Sequence, residues 1–386
     1  MARHLLVTND YPPKTGGIQT YLHELWRRLE SGRAVVLTAS SHEDAAAFDA
    51  TTEVVVERVT SSTLFLPTWP AYRAIEAAIT RHQPELVLLD PAWPLGLLGP
   101  RLSRPYGVVL HGAEVTIPSR TPLVASSLRY VLRHAQVAIC AGPFPEREAR
   151  RNAAETLCPV IQIPPGADTA LYHPLNPVER SEVRRERGFS DEDFLVASWS
   201  RLVPRKGFDT LIRAGAQLRE SLPNLRILIG GQGRDRARLE KLATRLHAPV
   251  TFLGYVPDED QGRWVGACDL MVMDCRSRWW GLEQEGFGIV FVEAAAAGLA
   301  PVAGRSGGSQ DAVRNGRTGV VLDNPRSAGE LAGVIATLAS DDDARHRLAS
   351  HALEAARDRY DWDRLAAELS RRLDPYDRGR RAEHLA

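Results

Sequence analysis

Short apolar runs alternate with amphipathic segments along most of the chain, a pattern typical of parallel sheets whose faces are covered by helices. The amphipathic segments, such as residues 20–29 and 71–81, have the apolar spacing of helices that bury one face. The apolar runs predict buried strands. The first series of predicted strands covers residues 5–7, 35–37, 54–56, 86–89, 107–110, 137–139 and 160–163.

A proline-rich passage interrupts this series and divides the chain. Residues 164–168 and 172–174 have the composition of a connection between domains. A length of 386 residues also exceeds the size at which one hydrophobic core keeps growing. The pattern therefore predicts an α/β protein with two doubly wound, Rossmann-like domains. The second series of predicted strands covers residues 194–200, 225–229, 250–253, 270–273 and 300–303.

The last predicted element is a helix at residues 364–373. Its apolar positions recur at helical intervals and predict one buried face, with the tryptophan as its anchor. We expect the charged tail that follows, through Ala386, to be disordered. The residues of the apolar stripe are Trp362, Leu365, Ala366, Leu369 and Leu373.

Composition excludes several classes of protein. The formal net charge is +0, and acidic and basic residues also balance within residues 1–168, so a nucleic-acid partner is not expected. No signal peptide or membrane-spanning stretch is evident, and we expect a cytoplasmic protein. The cysteines lack zinc or redox spacing, which predicts buried, reduced thiols at Cys140, Cys158, Cys268 and Cys275.

Two carboxylates frame a glycine turn in the second half of the chain. Glu285 precedes the turn Gly286-Phe287-Gly288, and Glu293 lies in the apolar, helical segment that follows. Glycines let backbone amides approach a ligand closely, and the positive end of a helix favours phosphate. Glu285 could accept hydrogen bonds from a hexose and Glu293 from a ribose, which would suit a nucleotide sugar. An exposed pair of acids at a helix N-terminus would give the same pattern.

A cationic cluster follows the predicted strand at residues 194–200. Arg201 and Lys206 lie in Arg-Leu-Val-Pro-Arg-Lys-Gly, at the carboxyl end of that strand, where open α/β sheets bind ligands. Two fixed cations suit a diphosphate. The chain has three lysines, of which Lys206 and Lys14 fall in predicted ligand loops and Lys241 does not. A solvated surface lysine remains the alternative for each.

Two motifs in the first half could also contact ligand. Gly16 and Gly17 follow the first predicted strand and open a helix, which would make an anion cradle. Their spacing is not the G-x-G-x-x-G dinucleotide fingerprint. His111, at the end of another predicted strand and beside Gly112, could reach a sugar hydroxyl. A plain strand-to-helix turn and a structural histidine are the respective alternatives.

Together these motifs resemble the retaining glycosyltransferases of the GT-B fold, family four, and are most similar to actinobacterial phosphatidylinositol mannoside α-mannosyltransferases, which use GDP-mannose. The resemblance rests on Gly16-Gly17-Ile18-Gln19, His111-Gly112-x-Glu114-Val115, Ser-Arg-Leu-Val-Pro-Arg-Lys-Gly at residues 200–207, and Glu285 to Glu293. It implies two domains facing a central cleft: an acceptor-binding domain at residues 1–168 and a nucleotide-sugar domain at residues 169–358. Residues 359–386 would form a crossover helix that returns to the first domain, plus the tail.

The resemblance also implies roles for individual residues. His111, Arg201, Lys206 and Glu285 would be catalytic, with His111 orienting the donor sugar and the two cations stabilising the departing diphosphate. The implied donor site comprises Gly16, Gly17, Arg201, Lys206, Glu285, Phe287, Gly288, Ile289, Val290 and Glu293. The implied acceptor site comprises Tyr11, Lys14 and Gln19. No metal or other cofactor is implied, because the cations would neutralise the leaving group.

The sequence departs from this group at two places. Ala113 stands where these enzymes commonly have a histidine, and Arg278-Trp279-Trp280-Gly281 stands where they have a glycine-rich loop. Four functions remain open: a mannosyltransferase acting on a phosphatidylinositol mannoside, a related transferase acting on a soluble molecule or natural product, a nicotinamide-dependent oxidoreductase, and a sugar-nucleotide sensor without turnover. The missing fingerprint disfavours the third, and the retained carboxylates and cations disfavour the fourth.

A lipid acceptor would require contact with the inner membrane face. Apolar residues near Arg27 and Arg28 could rest on an anionic bilayer. Ordinary core packing is the alternative. The apolar residues are Trp26, Leu29, Leu64, Phe65, Leu66 and Trp69.

Overall fold

A computed structural model describes residues 3–40, 42–59 and 63–376. The chain divides into two compact units, one formed by residues up to Pro165 together with those from Trp362 onward, and the other by Gly166–Asp361. The first unit is therefore discontinuous in sequence. The predicted tail at residues 377–386 lies outside the described residues.

The first unit contains a seven-stranded parallel sheet with strand order β3-β2-β1-β4-β5-β6-β7. Its central strands are apolar on both faces because helices cover both sides, as parallel sheets require. The strands are β1 His4–Thr8, β2 Ala34–Ala39, β3 Val55–Val59, β4 Leu86–Asp90, β5 Tyr106–Leu110, β6 Ala138–Cys140 and β7 Val160–Gln162. The helices between them are α1 Gly17–Trp26, α2 Ala45–Asp49, α3 Trp69–His82, α4 Ala113–Ser119, α5 Pro122–His134 and α6 Pro143–Ala153.

The second unit contains a six-stranded parallel sheet with strand order β10-β9-β8-β11-β12-β13. Its strands are β8 Phe194–Trp199, β9 Leu225–Gly230, β10 Val250–Gly254, β11 Leu270–Met273, β12 Ala300–Gly304 and β13 Val320–Leu322. Its helices are α7 Pro177–Glu186, α8 Phe208–Leu218, α9 Arg236–Leu246, α10 Asp258–Gly266, α11 Ile289–Ala296, α12 Ser309–Ala312, α13 Ala328–Ser340 and α14 Asp342–Arg359. Short 3₁₀ segments occur at Leu95–Arg101, Ala154–Thr156, Pro204–Lys206, Trp279–Gly281 and Asp374–Tyr376.

Helix α15, Trp362–Leu373, packs within the first unit against α1. The Trp362 side chain is 2% exposed, and its ring meets that of Tyr21 edge-on at a centroid distance of 6.3 Å. Arg28, two residues beyond the end of α1, pairs with Asp363 at 2.7 Å. The predicted apolar stripe is thus the buried face of the helix.

The four cysteines are buried and unpaired, at Cys140, Cys158, Cys268 and Cys275. The doubly wound α/β fold is confirmed in both units, although β13 was not predicted. Half of the predicted membrane surface is wrong, because Trp26, Leu29 and Leu64 are buried in the first unit. The indole of Trp26 donates a hydrogen bond to His4 at 2.9 Å.

Candidate functional site

The strand order reverses beside the first strand of each sheet, and loops at such points form ligand sites in open α/β folds. In the second unit the reversal lies between β8 and β11, so the loops that follow Trp199 and Met273 leave the sheet side by side. In the first unit it lies between β1 and β4, which end at Thr8 and Asp90. Each unit therefore has one candidate site at the carboxyl edge of its sheet.

The site in the second unit is built around the carboxylate of Glu285. Its Oε2 atom pairs with Lys206 Nζ at 2.7 Å and with Arg205 Nη1 at 2.6 Å. The Cys275 thiol donates to the same oxygen at 3.5 Å. Lys206 and Glu285 are 6% and 8% exposed, so the ion pair lies almost out of reach of bulk water.

Two cations outweigh the effect of burial on this carboxylate. Burial alone would raise the pKa of Glu285, but the charges of Lys206 and Arg205, with the hydrogen bonds from Lys206 and Cys275, lower it to about 2. Glu285 is therefore ionised throughout the physiological range. A buried, ionised carboxylate beside two cations suits a ligand that has both hydroxyl groups and phosphates.

The cationic loop is held against the loop after β11 by close backbone packing. Gly207 has φ 74°, and a Cβ atom there would lie 1.9 Å from the backbone oxygen of Asp274. The Arg276 amide also donates to the Arg205 carbonyl at 2.8 Å. Only glycine fits this position, and its absence of a side chain brings Arg205 and Lys206 to Glu285.

Asp274 is an unusual neighbour of this cluster. Its side chain is 1% exposed, and the Thr210 hydroxyl is the polar group beside it. Burial raises the pKa of Asp274 to about 8, so the carboxyl group is mostly neutral near pH 7. The charges that act on Asp274 are those of Arg276, Asp209 and Glu330, whereas those that act on Glu285 are Lys206 and Arg205.

The glycine turn leads into α11 as expected. Gly288 has φ 91° and immediately precedes the helix, which begins at Ile289. Phe287 is 4% exposed, whereas the side chains of Ile289, Val290 and Glu293 are half-buried. The turn therefore presents the first amides of α11 close to Glu285 in sequence, as an anion site would require.

The site in the first unit is centred on an ion pair between His111 and Asp90. His111 Nε2 lies 3.0 Å from Asp90 Oδ1, and the Thr8 hydroxyl donates to Asp90 Oδ2 at 2.6 Å. The Tyr21 ring meets the imidazole edge-on at 5.4 Å. Burial alone would lower the pKa of His111, but the charge and hydrogen bond of Asp90 raise it above the ordinary value.

In the loop after β1, polar side chains form hydrogen bonds with other residues of the same part of the chain. Lys14 Nζ donates to the Asn9 carbonyl at 2.7 Å, and Gln19 Nε2 donates to Asp10 at 2.8 Å. Gly16, with φ 154°, precedes α1, which begins at Gly17. A Cβ atom at Gly16 would lie 2.5 Å from the side-chain oxygen of Gln19. The turn is therefore closely fitted to its own helix.

Two models of known families match the chain, one in each half. "Glycosyltransferase Family 4" matches residues 15–171, and "Glycosyl transferases group 1" matches residues 179–355. The GDP-mannose-dependent alpha-(1-6)-phosphatidylinositol monomannoside mannosyltransferase of Mycobacterium tuberculosis is 36% identical over 380 residues, which cover 96% of this chain and 97% of the relative. The chain therefore belongs to the glycosyltransferase family that these two models and this relative represent.

Other relatives of the glycosyltransferase are similar over different lengths. A GDP-mannose-dependent monoacylated alpha-(1-6)-phosphatidylinositol monomannoside mannosyltransferase of Corynebacterium glutamicum is 35% identical, covering 83% of this chain and 84% of the relative. A D-inositol 3-phosphate glycosyltransferase of Corynebacterium efficiens is 38% identical, but covers 54% of this chain and 49% of the relative.

Solved structures confirm the GT-B fold of the glycosyltransferase. Anabaena Alr3699/HepE, in complex with UDP, has a TM-score of 0.82 at 24% identity and covers 97% of this chain and 100% of its own. WaaG, a glycosyltransferase of lipopolysaccharide biosynthesis, has a TM-score of 0.67 at 19% identity, covering 95% and 99%. At these identities the likeness shows the fold alone.

The predicted donor residues of the glycosyltransferase have different surroundings. The structure brings Lys206 to Glu285, but Arg201 is exposed, and the arginine that pairs with Glu285 is Arg205. Sequence reasoning missed Arg205 because Arg201 and Arg205 both flank the same short loop. The signal that could have identified it is its position next to Lys206.

Among the predicted acceptor residues, Tyr11 needs correction. It is 1% exposed, its hydroxyl lies 3.3 Å from His23 Nδ1, and its ring packs against Phe48. Burial places Tyr11 in the core rather than at a ligand surface. Asp90 was also missed, since an acidic residue that ends one strand gives no sign that it faces a histidine just beyond the end of the neighbouring strand.

Among the described residues, no group of three or more His, Cys, Asp or Glu side chains is placed to hold a metal ion. In the same part of the glycosyltransferase, no helix has both the length and the apolar character needed to cross a bilayer.

Proposed function

We propose that this glycosyltransferase transfers mannose from GDP-mannose to a phosphatidylinositol mannoside, with retention of the α configuration. The observation that carries the proposal is the 36% identity, over 96% of the chain, to a mannosyltransferase with that donor and that class of acceptor. The ion cluster at Glu285 supports it, because the cluster provides groups for a sugar and for a diphosphate in one place.

The donor sugar and its phosphates would use different parts of this cluster. In the part of the chain that the structure describes, both ion pairs and the thiol use Oε2 of Glu285, so Oε1 remains to accept a hydrogen bond from a hexose hydroxyl. Lys206, Arg205 and Arg201 would attract the diphosphate, together with the first amides of α11. Glu293 would bind the ribose.

The reaction exchanges one bond at the anomeric carbon for another. The bond from C1 of mannose to the β-phosphate oxygen breaks, and a bond from C1 to the acceptor hydroxyl oxygen forms. The proton of that hydroxyl passes to the departing phosphate, on the same face of the sugar. The charge that develops lies on the nucleoside diphosphate, so the preorganised cations stabilise the transition state more than the ground state. His111, paired with Asp90, would orient the sugar.

The direct test is a transfer assay with purified protein. GDP-mannose and UDP-glucose would each be incubated with phosphatidylinositol monomannoside or with water-soluble D-inositol 3-phosphate, and products identified by mass. A mannosylated lipid formed from GDP-mannose is the expected product. Transfer only to D-inositol 3-phosphate would favour the second candidate, a transferase for soluble acceptors, to which the Corynebacterium efficiens relative points.

We further propose that transfer needs no divalent metal. Lys206, Arg205 and the helix amides supply positive charge where other transferases use a cation. Activity should persist in excess chelator. A loss of activity in EDTA that Mg²⁺ or Mn²⁺ restores would overturn this proposal.

A lipid acceptor also implies peripheral contact with the inner face of the membrane. Phe65, Leu66 and Trp69 of the predicted surface are 42%, 46% and 68% exposed. Exposed apolar and indole groups suit the boundary between headgroups and acyl chains. Flotation with vesicles should show binding that weakens when the three residues are replaced by Ser. Unchanged flotation of that variant would remove these residues from the contact.

A further inference from the structure

Two adjacent tryptophans stand in solvent at the end of the loop formed by residues 278–283. Trp280 is 97% exposed and Trp279 is 56% exposed. Both have left-handed backbone conformations, with φ values of 48° for Trp279 and 53° for Trp280. Bulky side chains rarely adopt this conformation, and where they do the surrounding structure holds them in it.

The loop is held rigidly at its base. Arg278 and Glu283 exchange backbone hydrogen bonds of 2.9 and 3.3 Å, and their side chains form an ion pair of 2.8 Å. The Arg278 guanidinium also lies over the Trp279 ring, 4.6 Å from its centroid. Gln284 Nε2 donates to the Gly281 carbonyl at 2.6 Å. The orientation of the Trp279 ring is therefore fixed by its neighbours.

The same loop is connected to the proposed donor site. Glu283, the partner of Arg278, also lies 3.9 Å from Arg205, which pairs with Glu285. Trp280 precedes Glu285 by five positions in sequence, so their Cα atoms can be at most about 18 Å apart at roughly 3.6 Å per residue. The exposed rings thus lie within reach of a substrate that extends from the donor site.

We propose that Trp279 and Trp280 form a stacking platform for a hydroxylated ring of the acceptor, a hexose or a cyclitol. Such rings have a face of C–H groups that carry slight positive charge, and this face packs well against the negative face of an indole. Stacking depends on a fixed ring orientation, which Arg278 supplies for Trp279, while the braced, left-handed backbone of the loop fixes where Trp280 stands beside it. Insertion into a lipid surface has no such requirement, so the bracing favours the sugar ring as the occupant.

This inference rests on the proposed function and names the acceptor-specificity residues of that site. Trp280→Ala and the double variant Trp279→Ala/Trp280→Ala should raise the KM for the mannosylated inositol acceptor tenfold or more. The KM for GDP-mannose should stay within twofold, because the donor cluster is intact. Trp280→Phe should recover most of the loss, since it retains a flat aromatic face. Tyr130→Ala, which removes a 47% exposed aromatic residue from α5, is the matched control and should change neither constant.

Two further measurements separate the failure of this inference from failure of the proposed function. Calorimetric binding of deacylated phosphatidylinositol mannoside, the water-soluble head group, requires no turnover and should weaken at least tenfold in the double variant. If the wild-type protein binds this head group at least tenfold more tightly than the double variant does, but transfers no mannose, the proposed reaction fails and the platform stands. An acceptor KM and head-group affinity that are both unchanged in the double variant would overturn the platform.

Vesicle flotation provides the remaining arm. A double variant that loses binding to phosphatidylinositol vesicles, yet keeps the wild-type affinity for the soluble head group, would assign the tryptophans to the membrane and refute the sugar platform. We expect the double variant to bind vesicles as the wild-type protein does and to bind the soluble head group more weakly.

Discussion

The chemistry of this protein at the scale of single residues depends on which charges are left facing each other after burial. Glu285 stays ionised although it is buried, because Lys206 and Arg205 lie within 2.7 Å of one oxygen. Asp274 is also buried, but burial outweighs the effects of Thr210 and Arg276 on it and drives it toward its neutral form. Two buried carboxyl groups thus have different charge states because their neighbours differ.

Lys206 should be essential to turnover. Lys206→Ala removes one of the preorganised cations proposed to stabilise the leaving diphosphate, and such losses lower turnover by roughly a hundredfold or more. Steady-state assay at saturating GDP-mannose measures the effect. Lys241→Ala, which replaces an exposed lysine of α9, is the control and should retain wild-type turnover. A Lys206→Ala protein with wild-type turnover would show that the diphosphate does not use this cation.

The pair of His111 and Asp90 predicts a pH dependence of stability with a definite sign. Asp90 raises the pKa of His111 above the ordinary value of about 6.5. The pair's contribution to the free energy of unfolding is therefore complete below about pH 6.5. The contribution should then be lost as the pH rises through the raised pKa. Asp90→Asn removes the charge and leaves burial dominant, so the pKa of His111 should fall below the ordinary value.

Titration by NMR of the imidazole resonances measures this shift, and urea unfolding across the same pH range measures its effect on stability. Resonances of His247, exposed at the end of α9, should be unaltered by the substitution. A His111 resonance that titrates identically in wild type and Asp90→Asn would contradict the ion pair.

The sequence predicted Glu285 and Lys206 as site residues, but not that they pair. They lie 79 positions apart, and motif position alone cannot tell which of several cations reaches a carboxylate. For the same reason the sequence points to Arg201, although Arg205 is the arginine that reaches Glu285. Tyr11 is implied as an acceptor residue by the resemblance alone, and its burial is seen only in the packing against Phe48 and His23.

At the scale of elements, one close backbone approach shapes the cationic loop. Gly207 ends the segment Pro204–Lys206 and begins the approach to α8, with the backbone of Asp274 occupying the space where a side chain would be. Hydrophobic patterning predicts strands and helices well because it reports burial. It gives little information on such loop contacts, and it missed β13 because Val320–Leu322 is too short to stand out beside a glycine-rich turn.

Gly207→Ala should therefore destabilise the protein much more than a substitution that strains φ alone. Gly316 has φ 71°, close to the 74° of Gly207, but a Cβ atom there would meet nothing within 4 Å. We expect a loss of about 1–2 kcal/mol for Gly316→Ala from the left-handed conformation, and roughly 2–5 kcal/mol for Gly207→Ala when overpacking is added. Urea denaturation compares the two, and equal losses would mean that the loop relaxes away from Asp274.

Helix α15 offers a second test at this scale. Trp362 is 2% exposed against Tyr21, and replacing such a ring by Ala typically costs about 3–5 kcal/mol. Trp362→Ala should lower the free energy of unfolding of the first unit by that amount. Arg371→Ala, whose side chain is 66% exposed on the same helix, should change it by no more than about 0.5 kcal/mol. A Trp362→Ala protein as stable as wild type would show that Trp362 is not the anchor.

At the scale of the whole molecule, the connectivity of the two units has a consequence for function. The second unit is continuous from Gly166 to Asp361 and contains the proposed donor cluster, whereas the first unit depends on α15, which follows the second unit in sequence. Within the first unit, Tyr21 contacts both Trp362 and His111. Loss of α15 should therefore disturb His111 and leave the Glu285 cluster intact.

A chain that ends at Asp361 tests this division. This chain lacks Trp362 and the rest of α15, so the Tyr21 ring becomes exposed. Mannose transfer should therefore fall by at least tenfold. The affinity for GDP, measured by calorimetry, should remain within about twofold of the full-length value. A chain that ends at Tyr376 keeps α15 and also the hydrogen bond that the Tyr376 hydroxyl, just after this helix, donates to the Gln136 carbonyl. It should transfer mannose at the full-length rate. Equal losses of GDP affinity and transfer in the shorter chain would show that the second unit does not hold the donor by itself. An unchanged transfer rate would show instead that α15 has no part in catalysis, since the support it gives to Tyr21 and His111 would then be dispensable.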